Sequence, residues 1–292
     1  MNGLLVIDKP GGITSHDVVN RLRKITAEKT IGHLGTLDPM ATGVLPLLLG
    51  KFTRLAQFFS SAEKSYSGVI RFGFATDTYD AEGEIVGDRT EPRLSLDDLH
   101  RAASRFHGEM QQTPPPFSAK KIGGTPAYKL ARAGKQVDLQ PSTVRIDSFQ
   151  IVALNGGDAS FLMTISAGGY VRSIAHELGR DLGCGAHLAS LRRTQAGVFT
   201  LSDAHTLEEL QPFAGNLAAL GDLCMHPRSL LPAMPSVTAD AQTIGRLRNG
   251  AQANLPEFTA AHMVKVFAGQ RDLFAIATRV AGTLFQPTVV LG

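Results

Sequence analysis

The stretch His33-Leu-Gly-Thr-Leu-Asp-Pro-Met-Ala-Thr-Gly-Val44 constrains this chain most, because it sets one acidic residue, Asp38, in an otherwise apolar and glycine-rich segment. Gly32, Gly35 and Gly43 permit backbone angles closed to other residues, while Pro39 fixes its own φ and pushes Asp38 away from helical geometry. Neither a helix nor a regular strand runs through such a sequence, so a stiff turn presenting a carboxylate is expected. From the residues alone two readings stand: a structural turn with the aspartate as local hydrogen-bonding cap, or a carboxylate held out for chemistry.

At 292 residues the chain exceeds the usual single-domain size, which predicts one large domain with a small appendage. Hydrophobic residues make up 43% and charged residues 19%, which excludes an extensively disordered chain. The sequence has no run of about 18 apolar residues, and the start, Met1-Asn-Gly-Leu-Leu-Val-Ile-Asp-Lys-Pro10, does not read as a signal peptide, so a cytoplasmic location is expected. Cys184 and Cys224 lie far apart and the nine histidines are scattered, so no metal site is predicted. The net charge of +3 is unevenly spread: residues 61–110 carry six basic against ten acidic side chains, residues 111–200 ten against five. That basic middle is either a solvated face or a surface for phosphates.

Apolar patterning predicts a buried strand over 4–8, a turn, and a helix capped by Ser15 and running to Lys24 with Val18, Val19, Leu22 and Ile25 inward. Further along it predicts a short apolar run at 44–49, a helix at 52–59, and a strand at 66–74 forming a hairpin with 84–86. A helix follows at 96–106, then strands at 144–154 and 160–166. Gly168-Gly-Tyr-Val-Arg172 leads into a helix ending at Leu182. The stretch 114–141, rich in Pro, Gly and Lys with one helical piece at 127–133, reads as a long ordered loop, a candidate substrate clamp. Beyond Pro235 short strands at 263–267, 273–278 and 288–291 suggest a small β-rich appendage.

The run from Gly32 to Pro46 closely resembles the catalytic motif of TruB-type pseudouridine synthases. The likeness extends through Asp8-Lys-Pro-Gly-Gly-Ile-Thr-Ser15, Lys64-Ser-Tyr66, Thr76-Asp-Thr-Tyr-Asp80, Phe117-Ser-Ala-Lys120, Gly168-Gly-Tyr-Val-Arg172, and Gly183-Cys-Gly-Ala-His-Leu188 with Leu191-Arg-Arg193. The resemblance implies an α+β fold with a mixed, largely antiparallel central sheet, flanking helices and a central cleft. It divides the chain into a catalytic domain, 1–232, carrying an RNA-clamping loop at about 112–141, and a small β-rich PUA-like RNA-binding domain, 233–292. The activity implied is conversion of the uridine conventionally numbered 55 in the T-loop of tRNA to pseudouridine, without cofactor or metal.

The same resemblance makes Asp38 the catalytic carboxylate, attacking C1′, attacking C6 or removing a sugar proton. Burial beneath a base raises a carboxyl's pKa, so a neighbouring cation is expected; Arg172 stands at the family's position for it, and Asp80 at that of the acid orienting the arginine. Tyr66 is implied against the face of the flipped base, Tyr170 and Leu191 as pocket lining, and His33 as the group filling the space the nucleotide vacates. Lys9, Lys120, Lys121, Lys129, Arg132, Lys135, Arg192 and Arg193 are the candidates for phosphate contact. A monomer acting on tRNA with no obligatory protein partner and no membrane is expected. The rivals are a guide-RNA-dependent pseudouridine synthase, disfavoured by the absence of long basic extensions, a tRNA-folding chaperone, and a glycoside hydrolase with paired carboxylates.

Overall fold

The computed structural model describes every residue except 119 and 134–138. In chain order the strands up to residue 205 are β1 (Gly3–Lys9), β2 (Ile31–His33), β3 (Thr42–Leu49), β4 (Lys64–Phe72), β5 (Ala75–Thr76), β6 (Ile85–Val86), β7 (Gly108–Gln112), β8 (Lys121–Ile122), β9 (Thr125–Pro126), β10 (Ser142–Asn155), β11 (Asp158–Ile165), β12 (Ala186–Ala196), β13 (Phe199–Thr200) and β14 (Ala204–His205). Among the described residues ten of them form one mixed sheet in the order β14-β1-β3-β12-β4-β11-β10-β7, with β2 beside β3 and β13 beside β12. Helices α1 (Ser15–Thr26), α2 (Leu96–Ala103), α3 (Ala127–Arg132) and α4 (Val171–Asp181) belong to the same region. None of the described helices is long and apolar enough to cross a membrane.

The apolar runs of β1 and β3 show no alternation because both faces of these strands are covered. Leu5, Ile7, Leu45, Leu47 and Leu49 enter the main core, whereas Leu4, Val6, Val44 and Leu48 enter a second core on the opposite face. The two strands pair antiparallel from Gly3 with Leu49 to Lys9 with Gly43, which sets the chain leaving β1 beside the chain entering β3. Strands β4 and β11 alternate instead: Tyr66, Ile70, Phe72, Phe161, Met163 and Ile165 are buried in the main core, while Ser67 and Leu162 point out. The hairpin expected between 66–74 and 84–86 is different in detail. β4 pairs with β11 and β12, and the short β5 pairs with β6.

The cap of α1 is Thr14 rather than Ser15: Thr14 and Asp17 form a reciprocal capping box. Ser15 is freed for another task, since its Oγ donates to the Leu37 carbonyl at 3.1 Å and accepts from the Leu37 amide at 2.8 Å. The stretch at 50–58 is a 3₁₀ helix, and α2 stops at Ala103. At the junction of β11 and α4 a Cβ on Gly169 would lie 2.2 Å from the tip of the Ile165 side chain, which packs into the space that glycine leaves.

Residues 207–223 add the short helices α5 (Leu207–Leu210) and α6 (Leu217–Leu223). Beyond them β15 (Ser236–Thr238), α7 (Ala241–Arg248), β16 (Ala253–Asn254), β17 (Met263–Ala268), β18 (Asp272–Ala281) and β19 (Leu284–Val290) build a PUA-like β unit with sheet order β15-β17-β18-β19-β16. This unit has its own core around Val264, Val266, Phe274 and Phe285. Its Phe267, Leu273, Ile276 and Val289 also pack into the second core with Leu4, Val6 and Phe52, so the appendage covers the back of β1 and β3.

Candidate active site

The chain between β2 and β3 forms the expected turn. Ser15 pins Leu37, Ala41 donates its amide to the Asp38 carbonyl at 3.1 Å, and Gly12 donates to the Pro39 carbonyl at 2.9 Å. Asp38 is thereby placed on the floor of a cleft lined also by Tyr66, Tyr170, Arg172, Leu191 and Arg193, with 31% of its side-chain surface open to that cleft. Burial pushes its carboxyl above the ordinary aspartate value, against the pull of Arg172 and Lys9 and with the help of Asp80.

Arg172, at the second position of α4, is the organising cation. Its Nε lies 2.9 Å from Asp38 Oδ2 and its Nη2 donates to Asp38 Oδ1 at 3.0 Å, a bidentate pair. Nη1 lies 3.3 Å from Asp80 Oδ2 and donates to the Thr78 carbonyl at 3.0 Å, while Nη2 also donates to the Phe117 carbonyl at 3.0 Å. Three hydrogen bonds and two ion pairs thus hold the guanidinium in one orientation. Asp80 is fixed in turn, accepting from Thr78 Oγ1 at 2.6 Å and from the Glu82 amide at 3.1 Å. Tyr79, between them, holds a left-handed backbone with φ 64°, and its ring stacks on His176 at 3.8 Å.

Tyr66 comes from β4 and pairs in register with Arg193 of β12. Burial raises the pKa of its phenol, and the positive charge of the neighbouring Arg193 pulls the other way. Tyr170 is oriented through its backbone, whose amide and carbonyl are both taken by the buried Gln112 side chain at 2.8 and 3.0 Å. Leu191 sits on β12 in the cleft wall. His33 lies on β2, half-buried with Nδ1 lacking a partner, and burial lowers its pKa.

The phosphate candidates separate into three kinds. Lys9 is fully buried, and its ammonium donates to the carbonyls of Pro10, Pro39 and Ala41 at 2.9, 3.1 and 2.7 Å. It braces the turn rather than meeting RNA, and burial pushes it down to about 8. Arg193, expected as a phosphate contact, is likewise buried, only 1% exposed. Arg192 is half-exposed in a bidentate pair with Asp8, and Lys120 donates to the Gln140 carbonyl at 3.0 Å on the surface. Lys129 lies on α3, while Lys135 and the side chains of Lys121 and Arg132 lie outside what is described.

With this geometry in place, likeness to known proteins can be weighed. Residues 23–171 match the model of the TruB family pseudouridylate synthase N-terminal domain, and residues 172–220 that of the tRNA pseudouridylate synthase B C-terminal domain. The tRNA pseudouridine synthase B of Solibacter usitatus is 46% identical over 294 residues, covering 100% of both chains, and that of Aquifex aeolicus is 39% identical over 269 residues, covering 91% and 92%. The chain belongs to the TruB family of pseudouridylate synthases. A solved complex titled Cbf5-Nop10-Gar1 superposes with TM-score 0.72 at 24% identity over 99% of this chain and 85% of that one, a likeness of fold.

This TruB-family site also uses Ser15 in a role other than the expected helix cap, together with residues that sequence reading passed over. Ser15 holds Leu37, Thr78 and Phe117 supply carbonyls to Arg172, Gln112 orients Tyr170, and Lys64 lines the cleft. Thr78, Phe117 and Lys64 each stood inside a segment quoted for the family resemblance, but backbone carbonyls leave no mark on residue type. Gln112 carried no signal beyond its position next to Thr113-Pro114.

Proposed function

We propose that this pseudouridine synthase modifies the uridine conventionally numbered 55 in the T-loop of tRNA, with Asp38 as the group acting on the ribose or base. The reading is carried by one observation: a cleft-floor carboxylate gripped by a buried guanidinium, facing Tyr66, Tyr170 and Leu191. The target nucleotide leaves its stack and is held against these flat and apolar groups. Asp38 must be ionised to act, and Arg172 keeps it so in a place whose burial favours the neutral acid. Asp80 acts through Arg172, and His33 takes the space the flipped nucleotide leaves. Arg192, Lys120 and Lys129 supply phosphate contacts at the rim.

The enzyme acts alone on its RNA, as a monomer, with 1–232 as its catalytic domain, the loop at 112–141 as a clamp and 233–292 as an RNA-binding unit. The test is incubation of the purified protein with a bare T-arm hairpin, followed by mapping of modified uridines. Pseudouridine at the single T-loop position, with no free uracil released, is the expected result. Product only after addition of a guide RNA, or modification elsewhere in the hairpin, overturns the reading.

A further inference from the structure

Arg193 is a charged side chain in the wall of the cleft for which catalysis by Asp38 leaves no task. Its Nε donates to the Val44 carbonyl at 2.7 Å and its Nη2 to the Gly35 carbonyl at 3.0 Å, and it stands in register beside Tyr66. No described carboxylate forms an ion pair with it, in contrast to Arg172 with Asp38 and Asp80 and to Arg192 with Asp8. Lys64 lies beside it. A Cβ placed on Gly35 would stand 3.5 Å from Arg193 Nη1 and 3.8 Å from Lys64 Cε, so both side chains converge under the catalytic turn. Both line the cleft, and burial together with Arg193 depresses the Lys64 ammonium. A buried cation without a counter-ion is costly to keep. Lys9 and Lys265 are also buried on carbonyls, but Lys9 braces the turn without lining the cleft, and Lys265 joins β17 to the chain at 228–230.

We propose that Arg193, with Lys64 beside it, forms the cationic end of the nucleotide pocket and holds the negative charge that the base acquires while its bond to ribose is open. The inference rests on the reading of the site given above. When N1–C1′ breaks, its electron pair leaves with N1 and spreads over the ring nitrogen and the two carbonyl oxygens. The electron-poor ribose is met at the Asp38 end. C5 then joins C1′, the proton on C5 is lost and N1 gains one, so one N–C and one C–H bond are exchanged for one C–C and one N–H bond. A preorganised cation at the base end lowers the energy of the separated pair without having to reorient. It also explains why the two arginines of the site differ: Arg172 is paired to carboxylates because it tunes Asp38, and Arg193 is left unpaired because its counter-charge arrives with the reaction.

The test compares single-turnover consumption of uridine and 5-fluorouridine at the target position of the T-arm hairpin. Fluorine makes the base a better acid and a better leaving anion, so it needs the cation less. Arg193→Gln is expected to slow uridine by about 10²-fold or more, as loss of a preorganised donor does, and 5-fluorouridine by about tenfold less. Arg193→Lys should fall between, Lys64→Gln should show the same ordering with a smaller loss, and hairpin affinity should stay within about threefold. Equal fractional losses on the two substrates, or wild-type rates, overturn the proposal. Where Arg193→Gln does not fold, the ratio is read on Lys64→Gln, and equality there overturns it as well. Failure of the wild type to form pseudouridine on the uridine hairpin sinks the underlying reading instead.

Discussion

Asp38 and Arg172 act as one unit, and the structure gives each a distinct failure mode. Asp38→Asn retains an oxygen for Arg172 but no charge, so product formation should fall below detection while hairpin binding, read by filter retention, is kept. Burial holds the Asp38 carboxyl above the ordinary aspartate range, so the acidic limb of the single-turnover rate should lie above that of an ordinary aspartate, rate rising with pH as the carboxylate forms. The same shift has a sign for stability. The folded state binds this proton more tightly than the unfolded chain, so stability is lost as pH rises from the unfolded value through the folded one. Asp38→Asn is therefore expected to melt at or above the wild-type temperature at pH 7, with the difference vanishing near pH 4, as scanning calorimetry would read; a lower melting point at pH 7 contradicts it.

At the scale of elements, the site depends on how closely β3 passes β12. Arg192 and Arg193 pair parallel with Thr42 and Gly43, and Gly43 has φ 100°. A Cβ there would fall 2.2 Å from the Arg193 carbonyl oxygen, so any side chain pushes the strand carrying Arg193 and Leu191 away from the Asp38 turn. Gly43→Ala should cost about 2 kcal/mol or more in urea unfolding and reduce activity further than its stability loss explains. Lys9 performs the complementary task from β1, where three carbonyls of the turn regions converge on its ammonium. Lys9→Met leaves those acceptors buried and unpaired, and about 2–3 kcal/mol of stability should go with them.

For the molecule as a whole, the second core joins the front of the chain to its end. Leu4, Val6, Val44 and Phe52 pack with Phe267, Ile276 and Val289, and Arg54 donates to the Val290 carbonyl at 2.5 Å. Truncation after residue 232 exposes an apolar face several side chains wide, so the truncated chain should melt well below the full one or aggregate, as static light scattering during heating would show. A truncated chain that melts as the full one does would mean that this packing contributes little. The clamp assigned to 112–141 makes a separate prediction: bound tRNA should slow proteolysis there, and cleavage at equal rates with and without tRNA counts against it.

What the sequence determined by itself was local. Gly32, Gly35, Pro39 and Gly43 require a turn at Asp38 whatever surrounds it, the apolar patterning at 4–8 and 44–49 marks buried segments, and the ordered family motifs name Tyr66, Asp80, Tyr170 and Arg172 as a set. What only the tertiary structure decided was which charges meet and which do not. Lys9, Arg192 and Arg193 look alike as basic residues in motifs, yet Arg192 pairs with Asp8 while Lys9 and Arg193 are buried on backbone carbonyls, and of those two only Arg193 lines the cleft. The reason is physical: backbone angles are set by neighbours in the chain, whereas the environment of a charge is set by residues far apart in sequence, such as Arg172 and Asp38, that come together only when the sheet closes.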